Sequence, residues 1–106
     1  MESLQEVVDV ICAEYYGWAK EWKETCAYPP GYLKGVRIHF SNGISADVVI
    51  AEKQNAVFCY DGFEIAVLRN SEVVYDTPIT DDVVNTTDLD GLYFTLQEIG
   101  EYANSI

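Results

Sequence analysis

Three cysteines, one histidine and eighteen carboxylates are the residues of this 106-residue chain with the most obvious chemical potential. Cys12, Cys26 and Cys59 are odd in number and widely spaced, which suits neither a disulfide framework nor a CxxC zinc site. They read as free thiols in or beside the core of a protein from a reducing compartment. A nucleophilic cysteine needs a base, and His39 is the single candidate, but nothing in its surroundings resembles the setting of an activated thiol. One histidine also excludes zinc held by several imidazoles. Asp88-Leu89-Asp90-Gly91 has the outline of a calcium loop. Aligning Gly91 with the turn glycine, however, puts Thr86 at the first ligand position and Gln97 at the last, where a bidentate Glu belongs. No GxGxxG, Walker or GxSxG motif occurs, so nucleotide binding and hydrolase chemistry lack support. The chain reads as non-enzymatic, with no cofactor and no metal.

The carboxylates carry more information as a charge distribution. Eighteen Asp and Glu face six Lys and Arg, for a formal net charge of -12. Arg69 is the last base. From residue 70 to 106 there are eight acids, Glu72, Asp76, Asp81, Asp82, Asp88, Asp90, Glu98 and Glu101, and no base. Residues 1–69 carry ten acids and six bases, a net of -4, so most of the excess lies in the last third. Such a face either keeps a small protein soluble or docks a strongly basic partner. In the second case carboxylates stand in for phosphates toward Arg and Lys and speed encounter. The expected centre is Asp76, Asp81, Asp82, Asp88 and Asp90, extended by Glu72, Glu98 and Glu101. Tyr16, Tyr28 and Tyr32 are candidate aromatic contacts beside it. Direct binding to nucleic acid or anionic lipid is disfavoured, since phosphate contacts need clustered cations.

The length fits one domain over residues 1–106, and 49% hydrophobic residues suffice for a core. No apolar run approaches the ~20 residues that span a bilayer. The start MESLQEVVDV lacks the basic stretch of a signal peptide, so a cytoplasmic location is expected. Ser3 and Glu6 form a capping-box pattern. Leu4, Val7, Val8, Ile11, Cys12, Tyr15, Trp18, Ala19, Trp22 and Cys26 then follow a 3,4 spacing that predicts one long amphipathic helix. Cys12 and Cys26 would be about 21 Å apart on it, beyond disulfide reach. Trp18 and Trp22 would cover the sheet. Tyr28-Pro29-Pro30-Gly31 would end the helix.

A hairpin follows around Asn42-Gly43. A three-residue loop, Ser41-Asn42-Gly43, sets Phe40 against Ile44, Ile38 against Ala46 and Val36 against Val48. On the other face it sets Arg37 against Asp47 and His39 against Ser45, with His39 on the outer side. Asp61-Gly62 suits a second hairpin, pairing Tyr60 with Phe63, Phe58 with Ile65 and Ala56 with Val67. Asn70-Ser71 turns the chain again, setting Arg69 across from Glu72 and Leu68 across from Val73. The fifth strand, EVVYDTPI, belongs at the sheet edge because Pro78 cannot donate to a ladder. Thr80-Asp81-Asp82 reads as the cap of a short helical turn. Thr87 reads as the cap of a last helix with Leu89, Leu92, Leu96, Ile99 and Ala103 inward. The expected fold is α+β, a five-strand antiparallel meander with an N-terminal and a C-terminal helix on one face.

In size, charge and element order the whole chain resembles the small inhibitors carried by phages and mobile elements, the anti-CRISPR and anti-restriction proteins, several of which imitate DNA. That resemblance implies a stoichiometric inhibitor. It would occupy the DNA- or PAM-reading groove of a nuclease or CRISPR effector in the cytoplasm of a bacterial host, its acids facing Arg and Lys. An immunity protein or antitoxin that neutralises a toxic nuclease rests on the same physics. A structural module that oligomerises through a sheet edge or the first helix is the alternative of a different class, with Val73, Val74 and Tyr75 as one such edge. Both a monomer and a homodimer are compatible with the sequence.

Overall fold

The computed structural model describes residues 3–27, 31–51, 62–80 and 82–106. Helix α1 (Leu4–Glu14) leads into β1 (Trp18–Ala27) and β2 (Gly31–His39). A 3-10 turn (Ser41–Gly43) follows, then β3 (Ile44–Ala51), β4 (Gly62–Arg69), β5 (Glu72–Val73), β6 (Val84–Thr86) and α2 (Leu89–Ser105). The antiparallel sheet runs β1-β2-β3-β4. The far edge of β4 is shared, β5 pairing with Leu68–Arg69 and β6 with Phe63–Ile65. Both helices pack on one face, giving the two-layer α+β architecture the sequence predicts. Val7, Val8 and Ile11 of α1 and Leu92, Leu96, Ile99 and Ala103 of α2 close over Val36, Ile38, Ala46, Val48, Ile65 and Val67 of the sheet, all buried.

The hairpin register follows from its side chains as expected. Val36 lies opposite Val48, Arg37 opposite Asp47, Ile38 opposite Ala46 and His39 opposite Ser45. Phe40 closes the loop by donating its N–H to the Ile44 carbonyl at 2.8 Å. Asn42 and Gly43 both take positive φ, 58° and 77°, so two residues of the loop carry the left-handed turn. Asn42 adds a second role. Its amide donates to the carbonyls of Ala103 and Ile106, each at 2.7 Å, satisfying the open C-terminal end of α2, whose last turn holds no cation. On the outer face Arg37 grips Asp47 with two hydrogen bonds of 2.6 and 2.8 Å, the bidentate geometry of the stronger ion pairs. The Asn70-Ser71 turn also sets Arg69 against Glu72 and Leu68 against Val73 as predicted.

The first helix is shorter than its periodicity implied. α1 stops at Glu14, and Trp18 to Ala27 form a strand. Cys12 and Cys26 therefore lie on different elements. Tyr16 takes φ 52° beyond the helix end, and the Gly17 N–H closes onto the Cys12 carbonyl at 3.1 Å, a left-handed helix stop. At Gly17 the absence of a Cβ leaves room for the His39 carbonyl, which a Cβ would meet at 3.2 Å. A bulge at Lys20 then turns the two tryptophans to opposite faces, Trp18 opposite His39 and Trp22 opposite Val36. Neither covers the sheet, and both stay exposed.

Other expectations shift as well. Tyr60, Phe58 and Ala56 lie outside the described residues. Phe63, Ile65 and Val67 pair instead with Ile50, Val48 and Ala46 of β3. The fifth strand shrinks to Glu72–Val73, with one more in-register bond from the Val74 N–H to the Val67 carbonyl before the chain leaves the ladder. Thr80 and Asp82 begin no helix. The Thr80 hydroxyl receives the Asp82 N–H, and the chain runs on into β6, with Asp81 outside the described residues. The cap of α2 is Asp88, not Thr87, accepting the Gly91 N–H at 2.7 Å.

Gly100 sets the spacing of the two helices. A Cβ there would come within 2.6 Å of the Tyr15 ring. Alanine would gain about 1 kcal/mol of helix propensity, but overpacking a tight contact costs typically ~1–3 kcal/mol. Gly100→Ala is therefore expected to lower the unfolding free energy, and in a Tyr15→Ala background the same change should raise it. Urea unfolding of the four proteins in the cycle checks both signs. A stabilising Gly100→Ala in the parent would contradict the close contact.

His39 sits on the outer face as predicted. Its Nδ1 meets the Ser45 hydroxyl at 3.0 Å and its ring stacks on Trp18 with centroids 4.3 Å apart. Its Nε2 is buried without a hydrogen-bond partner among the described residues. Burial first, then Lys20 and Arg37, push the imidazole pKa below its ordinary 6.5, against a smaller opposing pull from Asp47. A lowered folded-state value means the unfolded chain binds the proton first. The stability that depends on neutral His39 is thus present above pH 6.5 and is lost as pH falls through the folded value. As the single histidine of the chain, it should give one NMR imidazole titration with a midpoint below 6.5. A midpoint at or above 6.5 would contradict the buried, stacked ring.

Candidate functional site

The helices of this molecule carry charge of one sign, whereas the strands carry both. The outward stripe of α1 carries Glu6, Asp9 and Glu14, and the segment from β5 to α2 carries Asp76, Asp82 and Asp88. The outward side of α2 then presents Asp90, Glu98 and Glu101, and all nine acids are exposed. No Lys or Arg occurs in α1, in α2 or between β5 and α2. Among the described residues every base lies on the sheet. Lys20 and Lys23 are on β1, Lys34 and Arg37 on β2, and Arg69 on β4. The reason is local. Each helix buries one stripe in the core and must be polar on the other, and here the polar stripe is written only in acids and neutral residues.

Two tyrosine contacts pin the acidic helices together. The Tyr93 hydroxyl donates to the Glu14 carboxylate at 2.9 and 3.0 Å, and Tyr15 reaches Glu101 at 3.4 Å. The accepting Glu14 carboxylate holds the Tyr93 phenol above the ordinary tyrosine range. Burial, with Glu101 and Glu14 adding to it, pushes Tyr15 up too. Both phenols therefore stay protonated and able to donate to acids. Beside α2 an open groove of about 370 Å³ is lined by Pro78, Ile79, Glu98, Glu101, Tyr102 and Ser105. Tyr102 is fixed in its wall, its hydroxyl accepting from Arg69 at 2.7 Å.

The residues marked in the sequence divide as follows. Asp82, Asp90 and Glu98 are exposed, and their carboxylates make no side-chain hydrogen bond or ion pair among the described residues. Glu101 lies in the groove wall, and Glu72 is at the strand edge opposite Arg69. Asp76 is exposed on the segment after β5. Asp88 is committed to the cap of α2, which also removes the resemblance of this stretch to a calcium loop. Asp81 and Tyr28 lie outside the described residues, and of Tyr32 the backbone alone is described, on β2 opposite Cys26. Sequence reasoning missed Glu6, Asp9 and Glu14, which extend the acidic surface across α1. The signal was hidden because the helix expected to run to Cys26 includes Lys20 and Lys23, and α1 is free of bases only because it stops at Glu14.

Exposed aromatics stand among these acids. Tyr16 is 93% exposed in a left-handed backbone conformation that a tyrosine adopts at a cost. Phe94 and Tyr75 are also exposed, Phe94 edge-on to Tyr93. The thiol chemistry weighed above finds no setting for Cys12. Its thiol is pushed up by burial and by Asp9, and it belongs to the helix side of the sheet while His39 faces away. Among the described residues no group of three or more His, Cys, Asp or Glu is placed to hold a metal, and no helix is long and apolar enough to cross a membrane. No protein-family profile, curated protein or solved structure matches the chain.

Proposed function

We propose that this protein is a non-enzymatic binding module whose acidic helix layer docks in the basic groove of a nucleic-acid-handling protein and blocks it, in the manner of the anti-CRISPR inhibitors it resembles. The observation that carries this reading is the one-signed charge of the helices and of the segment leading to α2. Nine exposed acids and no base stand on α1, on α2 and on the segment leading to α2, while among the described residues every base lies on the sheet. An even spread of acids would serve solubility equally well, whereas a one-signed layer adds steering toward a cationic surface. Tyr16, exposed just beyond Glu14 at the end of α1, adds an aromatic contact beside the acids.

The test is affinity capture of the full chain from lysate of its source cell at about 50 mM and about 500 mM salt, with mass spectrometry of the eluates. A basic nucleic-acid-binding protein retained at low salt and released at high salt, whose activity the purified chain inhibits, is the expected result. Absence of any salt-released basic partner would reject the reading and leave the acidity a matter of solubility.

A further inference from the structure

The groove beside α2 combines two kinds of surface. Glu98, Glu101, Tyr102 and Ser105 follow one another at helical spacing, so they share one face of the last turns of α2. Pro78 and Ile79, from the segment between β5 and β6, complete the lining of the space of about 370 Å³. Ile79 and Tyr102 also pack against the core, which holds the apolar part of the lining in place. Two carboxylates thus stand beside three apolar groups.

Among the described residues no cation is bound to either carboxylate. Glu98 makes no side-chain hydrogen bond or ion pair, and Glu101 receives one long hydrogen bond from Tyr15 at 3.4 Å. Arg69 reaches the same wall, but it donates to the Tyr102 hydroxyl at 2.7 Å and lies opposite Glu72 in the ladder. With Glu72 and Arg69 both counted, three acids face one base. The end of α2 adds to the imbalance. Its carbonyls form a negative pole, its last turn holds no cation, and the Asn42 amide that meets the Ala103 and Ile106 carbonyls is uncharged.

A ligand that uses both kinds of surface needs an apolar stem and a cationic head. A hydrated metal ion would leave Pro78, Ile79 and the Tyr102 ring unused, and no group of three metal-ligating side chains is present among the described residues. Carboxylates three residues apart on a helix have Cβ atoms ~5–6 Å apart. A planar guanidinium, with five donors in a rigid fork, can bond to both at once, whereas an ammonium is a point charge. The methylenes of an arginine would cover the apolar lining.

We infer that this groove is a subsite for an arginine side chain of a basic partner protein, its guanidinium between Glu98 and Glu101 and its stem along Pro78, Ile79 and Tyr102. The inference rests on the docking reading for the identity of the partner and narrows it to one contact. Elsewhere the acidic surface steers, and in the groove it holds.

NMR titration of the full chain with the tripeptide acetyl-Gly-Arg-Gly-amide tests the subsite. Saturable shifts at Ile79, Glu98, Glu101, Tyr102 and Ser105 are expected, with Glu6, Asp9 and Glu14 of α1 unmoved. The citrulline analogue, equal in shape and uncharged, should not bind, and the lysine analogue should bind about tenfold more weakly. Glu98→Gln together with Glu101→Gln should weaken the arginine peptide by about tenfold or more, through loss of charge-assisted hydrogen bonds. Ser105→Trp, which fills the groove and keeps both acids, should weaken it similarly. Equal shifts on α1, equal affinity for the lysine peptide, or indifference to Ser105→Trp overturns the subsite. Should Ser105→Trp fail to fold, the glutamine pair and the lysine comparison decide. A captured partner without tripeptide binding overturns the subsite and leaves the docking reading standing, and tripeptide binding without a captured partner does the reverse.

Discussion

Leu96→Ala is expected to remove a large part of the stability of this domain. Leu96 is fully buried at the meeting of α2 with the sheet, among Leu92, Ile99 and the inward residues of α1. Truncation of a buried leucine costs about 2–5 kcal/mol, the transfer term plus the cavity that incomplete collapse leaves. A domain of this size holds roughly 5–15 kcal/mol in total, so the variant should sit near the edge of folding at physiological temperature. Urea unfolding would show the midpoint falling by roughly 1 M or more. Glu98→Ala, two residues along on the exposed side of the same helix, should stay within about 0.5 kcal/mol of the parent. A loss under about 1 kcal/mol for Leu96→Ala would mean that α2 is not packed on the sheet as described.

The second large effect concerns recognition. Reversal of Asp82, Asp90 and Glu98 to lysine changes the charge of the acidic layer by six units without touching the Asp88 cap, the tyrosine contacts or the core. The stability of the fold should change little, and relief of self-repulsion offsets part of any loss. Affinity for a basic partner should fall roughly hundred-fold at low salt, chiefly through slower association, with the difference narrowing as salt screens the interaction. Surface plasmon resonance across a salt series against the captured partner separates the two rate constants. Unchanged binding by a folded triple variant would locate the contact elsewhere.

How far the sequence anticipated this molecule depends on the strength of each local signal. The β2–β3 register was legible because a two-residue Asn42-Gly43 turn would place Phe40 opposite Ser45 and Ile38 opposite Asp47, whereas the three-residue loop pairs apolar with apolar. The inner stripe of α2 was legible because Leu92, Leu96, Ile99 and Ala103 fit no period but that of a helix. The N-terminal segment misled for a specific reason. Trp18 and Trp22 are four residues apart, a spacing shared by one helical turn and two strand repeats. The deciding signal was Gly17, which ends α1, and its weight is hard to judge without knowing that the His39 carbonyl crowds the site. The bulge at Lys20 then hid the strand alternation. β6 escaped notice because three residues, Val84–Thr86, carry too little pattern to stand apart from a loop. The acidic surface was half seen. The run of acids after Arg69 is visible in one dimension, but its union with Glu6, Asp9 and Glu14 exists only once α1 lies beside α2.

The one-signed charge of the helices also gives the described part of the molecule a polarity, directed from the helix side toward the sheet. In a non-uniform field such a body feels a torque as well as a pull. Approaching any cationic surface, it would turn before it touches, so the collisions that occur are mostly of the productive orientation. A neutral protein of the same shape would have to find that pose by rotational search alone.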